Sequence, residues 1–504
     1  MTREKKTIYT IITNILLQLV LAVSGFVIPR LILSAYGSTM NGLINSIAQF
    51  LTYAGLVEAG VGNAAIVALY KPFANQNYGE ISRISTCVKR KYFISGLMYT
   101  GIVVLLAVLY PLTVKNQLEY GFVVSMVFII AAVSAIDYFI IGKYKVLLVA
   151  DQKYYVINAV RIIATIILII GSCLLLLYSQ SLFVVKGLAV VTHLGEALVI
   201  KLYVKQKYPS IDFKTTDGSI IIRQQSNALI HQISNVVTYN TDLVVLTVFL
   251  SGESLKEISV YTVYALAFGM INNLMTSFTT GIDATFGNMI ARRENLRLNK
   301  FYNAYEYWYL ILLYSMYCCF IVLIIPFVNC YTKGIDDINY IRPVVGLLFG
   351  INGVLAELKD PLVAVVKAHG DFQQTQKFAV GEAVVNIVIS VILVKPFGIV
   401  GVLIGTIISH IFADIGFIVY ANRDLLQRKI VESLKNNFLN TFVLVGVVFV
   451  EFRYTYHING WGDWILAGVA FSVINISVFI LLNAITNFKN FQYGVNFLRR
   501  RLSK

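Results

Sequence analysis

From end to end the chain alternates long apolar runs with short polar connections. A helix needs about 20 mainly apolar residues to cross hydrocarbon. Runs of that kind recur at roughly 8–33, 41–70, 92–114, 121–142, 155–178, 182–203, 224–250, 258–289, 305–330, 340–366, 376–396, 398–421, 438–452 and 463–485. Short, strictly alternating segments of the sort that build a membrane barrel are missing, and an open sheet edge would leave backbone groups unsatisfied in lipid. The pattern predicts an all-α polytopic membrane protein with about 14 transmembrane helices.

Composition agrees: 58% of residues are hydrophobic, 13% are charged and the mean hydropathy is +0.74, which no polar-surfaced globule matches. The formal charge of +15 raises the idea of nucleic acid. The distribution of Lys and Arg dismisses it. They gather at the two termini and in every second loop, as in Lys89–Arg90–Lys91, Arg292–Arg293 and Arg499–Arg500–Arg501. The intervening loops hold Lys115, Lys256, Lys333, Arg342, Lys395 and Arg453. Cytoplasmic loops are the basic ones, so both termini are expected in the cytoplasm, and the even helix count agrees. Arg3, Lys5 and Lys6 precede an apolar run containing Ala22-Val23-Ser24, but the run continues past that cleavable triplet and reads as a membrane span rather than a leader. Cys87, Cys173, Cys318, Cys319 and Cys330 have no metal-ligand spacing and are expected to pack in helices.

The chain repeats itself. Glu58–Asn63 reads EAGVGN and Asp283–Asn288 reads DATFGN, 225 residues on; the same shift places Tyr36 over Tyr261. Ala159-Val160 answers Ala383-Val384, and Thr192-His193 with Glu196 answers Ser409-His410 with Asp414. The order and near-constant offset predict two pseudo-symmetric six-helix lobes plus two C-terminal helices around a central cavity. The expected boundaries are 1–210, 211–430 and 431–504. Six helices per repeat make the repeats parallel, an arrangement found in transporters that rock two halves about a central site.

Asn386 to Leu393, Phe397-Gly398-Ile399-Val400-Gly401 and Gly405-Thr406 form a helix pair that resembles polysaccharide flippases of the multidrug/oligosaccharidyl-lipid/polysaccharide exporter superfamily. Leu147 to Lys153, Thr241-Asp242-Leu243 and Val260-Tyr261 carry the same likeness. Gly25-Phe26 to Tyr36-Gly37, with Glu58 and its glycines, also resembles the lipid II flippase branch. That branch has basic residues early in the first helix where this chain has Ile28 and Pro29, with Arg30 one step on. The resemblance implies a bacterial inner-membrane flippase that moves undecaprenyl-pyrophosphate-linked oligosaccharide units by alternating access, for capsule, exopolysaccharide or O-antigen synthesis. Its partners would be that lipid-linked substrate, membrane lipids, a polysaccharide polymerase and chain-length machinery. No nucleic acid and no cofactor are expected, and a proton or sodium gradient is the candidate energy source.

Charges at mid-membrane cost about 2.5–3.5 kcal/mol each on insertion scales, so those present should pair or face a polar cavity. The candidate substrate-binding residues are Arg30, Lys359, Asp242, Asn240, Glu58 and Asp283, with Arg30 and Lys359 expected on the pyrophosphate. Arg161 and Lys186 lie near helix ends, where they can snorkel. Asp242 sits with Asn235, Thr238 and Asn240 in an unusually polar seventh span. Asp137 is expected to be structural. His193 with Glu196 and His410 with Asp414 share helix faces at spacings of three and four, and are the candidates for ion coupling, against the plainer reading of hydrogen-bonded pairs inside each lobe. Tyr302, Tyr305, Tyr307, Trp308 and Tyr309 read as an interfacial belt.

Two alternatives remain. A drug or cation antiporter of the same superfamily would share the fold, but usually has twelve helices. A membrane polysaccharide polymerase would need a sizeable outer loop, and the outer connections here reach only about a dozen residues. A transport protein rather than an enzyme is therefore expected.

Overall fold

A computed structural model of the chain describes residues 3–58, 61–178, 181–213, 226–250, 252–279 and 282–493. In chain order the helices are α1 (Arg3–Ala54), α2 (Val61–Ala74), α3 (Tyr78–Thr113), α4 (Tyr120–Ile136), α5 (Gly142–Ala150), α6 (Tyr154–Leu177), α7 (Leu182–Lys207) and α8 (Ser226–Phe249). They continue with α9 (Ser254–Thr279), α10 (Ile282–Ala291), α11 (Asn295–Tyr331), α12 (Pro343–Leu358), α13 (Asp360–His369), α14 (Phe372–Tyr420), α15 (Ile430–Glu451) and α16 (Trp461–Thr486). No strand occurs among the described residues, and ten of the helical segments are long and apolar enough to cross a membrane.

Two of the longest helices are really hairpins or kinked pairs. Within α14, Gly398 takes φ 55°, ψ −130°, a conformation that L side chains rarely adopt, and the chain folds back there. The proof is in the cross-contacts: Asn386 Nδ2 donates to Thr406 Oγ1 at 3.0 Å and Ser390 Oγ to the Val402 carbonyl at 3.3 Å. A Cβ on Gly401 would come within 2.1 Å of the Leu393 carbonyl oxygen, so glycine is what lets these two backbones touch in lipid. In α1, Gly37 (φ 77°, ψ −179°) interrupts the helix in the same way. Four other crossings are made of joined pieces: the second part of α1 with α2, α4 with α5, α9 with α10, and α12 with α13. Counted so, the described residues form fourteen helical units, each overlapping one of the apolar runs.

The joints have identifiable forms. A 3-10 turn (Gly55–Glu58) follows α1, a π-helical turn (Asp137–Ile141) joins α4 to α5, and Lys359 separates α12 from α13, which starts with Asp360-Pro361. EAGVGN runs into the first turn of α2 and DATFGN lies in α10 from its second residue; Ala59, Gly60, Thr280 and Gly281 lie outside the described residues.

The chain divides into two compact units. The first comprises Met1–Val236 with Ser251–Ser259, the second Val237–Leu250 with Val260–Lys504. In the first, α1 packs on α6, α6 on α7, and α3 and α7 on α4. The start of α9 is held there by Gln117, which accepts from Leu255 N at 3.1 Å and donates to Ser254 Oγ at 2.9 Å, and by Asn41, which donates to Ser259 Oγ at 2.8 Å. A Cβ on Gly42 would overlap the Leu255 carbonyl oxygen at 1.7 Å.

In the second unit α11 is the interior element: 72% of its most apolar window is buried, and α12, α15 and α16 pack around it. This corrects the expectation of an aromatic belt. Tyr302, Tyr307 and Tyr309 are buried among protein groups because α11 is enclosed by its neighbours. The last two helices are fastened to α11 by polar contacts: Arg428 reaches Glu306 at 2.7 Å, Tyr314 meets Thr441 at 3.0 Å, and Trp464 donates to the Leu323 carbonyl at 3.2 Å.

Candidate functional site

Folding α14 back on itself has a direct chemical consequence. Residues equally far from position 396 face each other, so Ser390 meets Val402, Asn386 meets Thr406 and Glu382 meets His410. Each pair is four residues from the next, about 6 Å along the helix. Three polar rungs therefore stack inside the second unit, and α8, α9, α12 and α13 supply what completes them.

The middle rung receives Asp242 of α8. Thr406 Oγ1 lies 3.0 and 3.2 Å from its two oxygens and Tyr261 donates to it at 2.7 Å. Asp242 is 4% exposed and has no cationic partner among the described ion pairs. The Asn386 side-chain oxygen beside it is buried and has no hydrogen-bond partner. Carboxylate, amide, hydroxyl and carbonyl oxygens, with no nitrogen or sulfur ligand, make a set that suits a hard monovalent cation such as sodium.

The next rung receives Lys359 from the joint between α12 and α13. Its Nζ is 2.5 Å from Glu382 Oε1 and 3.5 Å from His410 Nδ1, and His410 Nδ1 is 2.7 Å from Glu382 Oε1. The Tyr239 ring lies 5.9 Å from that of His410. One turn further along α14 comes Asp414, 4% exposed, with neither oxygen hydrogen-bonded among the described residues.

A cavity of about 410 Å³ opens beside this rung, lined by Tyr239, Asn272, Thr276, Thr279, Asp283, Glu357, Asp360 and Lys367 with small apolar residues. Glu357 accepts from Tyr317 at 2.8 Å and Asn272 at 3.1 Å, and Asp360 accepts from Tyr309 at 3.2 Å. Three carboxylates, an amide and several hydroxyls offer the acceptors and donors that sugar hydroxyls need; Lys367 is the only cation in the lining.

A second cavity, of about 500 Å³, is a lateral groove between α9, α11 and α16. Met270, Ile271, Phe320, Leu323, Phe327, Ile465 and Val469 form its walls, and Cys319, Trp464 and Ser472 are the polar residues among its lining.

The first unit holds its own buried cluster. Lys145 sits 2.7 Å from Asp137 and 3.7 Å from Glu196, while His193 bridges both acids at 3.3 and 3.2 Å. Glu58, in the 3-10 turn, is hydrogen-bonded by Tyr92.

The sequence candidates thus divide. Lys359, Asp242 and His410 converge on the rungs, Asp283 lines the polar cavity, and Asn240 is half-buried on α8. The Asn235 side chain lies outside the described residues. Arg30 and Glu58 belong to the first unit. His193 and Glu196 do pair; His410 and Asp414 do not, because Glu382 takes the imidazole. Lys359 pairs with Glu382 rather than with its chain neighbours Glu357 and Asp360. The reading from sequence left out Glu382 as the partner of His410, Asn386 as a companion of Asp242, and Lys145. The first two were findable from their equal distances to the Pro396-Phe397-Gly398 turn. Lys145 was not, since it looks like one more basic residue of a cytoplasmic loop.

No family model matches the chain, and no curated protein matches it. Solved structures do. The lipid II flippase MurJ in an inward closed conformation superposes with a TM-score of 0.64 over 94% of this chain and 98% of its own, at 15% identity. The chain shares the fold of this flippase. An inward-facing multidrug resistance MATE family transporter of the MOP superfamily follows with a TM-score of 0.60, covering 82% of this chain and 96% of its own at 14% identity. A MOP superfamily transporter from Pyrococcus furiosus, reported with a binding pocket of reversed polarity, gives 0.51 over 84% of this chain and 95% of its own at 14% identity. The fold shared with these transporters is all-helical and carries several membrane-length apolar helices, as the apolar pattern predicts.

Proposed function

We propose that the chain is a flippase of the bacterial cytoplasmic membrane, both termini inside, that translocates polyprenyl-pyrophosphate-linked oligosaccharide units. The lateral groove is the observation that carries this reading. It is apolar and of ligand size, and α16, one of the two helices beyond the twelve of the expected repeats, forms one wall. An isoprenoid chain fits such a surface; a small water-soluble drug has no use for it. The wider coverage by the lipid II flippase, 94% against 82–84% for the two other transporters, supports the same choice. The acid- and hydroxyl-lined cavity then serves the sugar, with Lys367 as the nearest cation for pyrophosphate. Lys359, whose ammonium is spent on Glu382 and His410, serves the rung instead. The Asp242 oxygen set suits sodium coupling.

A polymerase downstream would consume the product, and capsule, exopolysaccharide or O-antigen synthesis would be the setting. A cation antiporter is the second reading, favoured by Asp283, Glu357 and Asp360 in one cavity. Deleting the gene and analysing membrane lipids separates the two. Lipid-linked oligosaccharide accumulating on the cytoplasmic face is expected; unchanged lipid-linked sugar together with a gain in sensitivity to organic cations would establish the antiporter.

A further inference from the structure

Each compact unit holds one histidine, one lysine and two carboxylates in one cluster, enclosed in the second unit and partly exposed at Asp137 in the first. The first has His193, Lys145, Asp137 and Glu196; the second has His410, Lys359, Glu382 and Asp414. Two carboxylates against one lysine leave a net negative charge in each, and burying an uncompensated charge is costly. One bound proton removes it.

The proton goes to different places in the two units. In the first, His193 has a carboxylate oxygen on each ring nitrogen, at 3.3 Å from Asp137 and 3.2 Å from Glu196, so an imidazolium satisfies both N–H groups. In the second, the His410 Nδ1 lies 3.5 Å from the Lys359 ammonium, and its Nε2 is buried with no acceptor. A second positive charge there would meet the first and strand an N–H. Glu382 is already engaged by Lys359 and His410. Asp414 remains, buried, four residues from His410, with both oxygens unpartnered.

We propose that Asp414 is a proton-binding site of the second unit, distinct from the Asp242 oxygen set, carrying its proton as a carboxylic acid in this conformation. The charged and titratable groups that face this region are Tyr239 of α8, Glu357, Lys359 and Asp360 of α12, α13 and their joint, Tyr314 of α11, and Glu382 and His410 of α14. Lys359 is the single cation among them, and every further carboxylate strengthens the demand for a proton. Ala413, Phe417 and Ile418 pack with Leu362, Val365 and Phe286 beyond Asp414, sealing it from the near end of α14. Proton release, in which the carboxyl O–H bond breaks, the proton passes to water and a carboxylate stays behind, therefore requires this apolar seal to open. Resting on the transport reading, that opening is the step at which translocation and proton movement are tied.

The test needs no transported substrate. Full-length protein in lipid nanodiscs is titrated from mildly acidic to alkaline buffer while infrared difference spectra follow the carboxylic-acid C=O band. Wild type should show a band that Asp414→Asn loses and Asp463→Asn, a change at the exposed start of α16, keeps. A pH-indicator titration should count one proton fewer per chain for Asp414→Asn. An unchanged band and unchanged proton count in Asp414→Asn, with its melting temperature retained, would overturn the assignment. If the band behaves as expected in a chain that moves no lipid-linked sugar, the proton site stands and the flippase reading falls.

Discussion

The two buried clusters have the same ingredients and different wiring. In the first unit every acid has a partner: the π-helical turn at Asp137 brings Lys145 back onto it, and His193 closes the ring to Glu196. In the second, Glu382 takes both Lys359 and His410, and Asp414 is left over. The cause lies in what faces each histidine across its helix hairpin. His410 faces Glu382; the α6 position that the repeat matches to Glu382 is Asn158, not an acid, and His193 pairs with Glu196 of its own helix and with Asp137. Exposure differs too. The Asp137 side chain is 36% exposed, whereas those of Lys359 and Glu382 are each 8% exposed. The two clusters thus share residue types, and a single acid on the neighbouring helix decides whether the site is closed or has an acid to spare.

Lys359→Met is the strongest way to break this contrast. It leaves Glu382 charged and unpaired in an enclosed site, and removing one partner of a buried pair costs about 3–5 kcal/mol. The melting temperature in detergent should fall sharply and recover most of the loss with Glu382→Gln added. A Lys359→Met protein that melts like wild type would show that the second cluster is not a tight one. Lys145→Met in the first unit should cost less, about 1–2 kcal/mol, because His193 still bridges the acids and water reaches Asp137; equal losses in the two variants would erase the comparison.

Asn386→Ala probes the oxygen set above the second cluster. It should weaken sodium stimulation of transport in proteoliposomes about tenfold, equivalent to about 1.4 kcal/mol, and leave the proton count of the Asp414 site unchanged. Sodium dependence unaltered by this change would remove Asn386 from the set.

The smallest effect is expected at the connection between α5 and α6. Burial alone would raise the Asp151 carboxyl, but Lys153 at 2.7 Å, the Tyr208 hydroxyl and Lys6 at 3.1 Å overcome it and hold the group below the usual carboxylate range. A lowered folded-state value adds stability that is present above the ordinary carboxylate range and is lost as pH falls through the folded one. Asp151→Asn should therefore melt lower than wild type by under about 1 kcal/mol at neutral pH, with the gap closing below about pH 4. A gap that persists in acid would assign the loss to packing.

Much of this molecule was legible before its coordinates. The helical units follow from apolar runs, and the paired phrases EAGVGN and DATFGN both reach into the opening turns of short helices, α2 and α10. Turn-centred symmetry places Glu382, Asn386 and Ser390 opposite their partners, because an antiparallel hairpin equates distances from its turn. Side-chain partners across non-consecutive helices were not legible: nothing local says that Lys145 turns back to Asp137, that Arg428 reaches Glu306, or that Glu451 is buried against Asn475 at 3.3 Å. Those choices depend on helix rotation, which sequence spacing does not encode.

The fastening of α15 and α16 onto α11 bears on how the chain is made. Glu306 depends on Arg428, which is synthesised about 120 residues later, and the Leu323 carbonyl waits for Trp464. A nascent chain stopped after α14 would hold α11 in the bilayer with a buried acid uncovered and an apolar flank without its neighbours. The middle of the second unit is therefore inserted early and completed last, and quality control acting on unfinished chains would meet Glu306 as the mark of incompleteness.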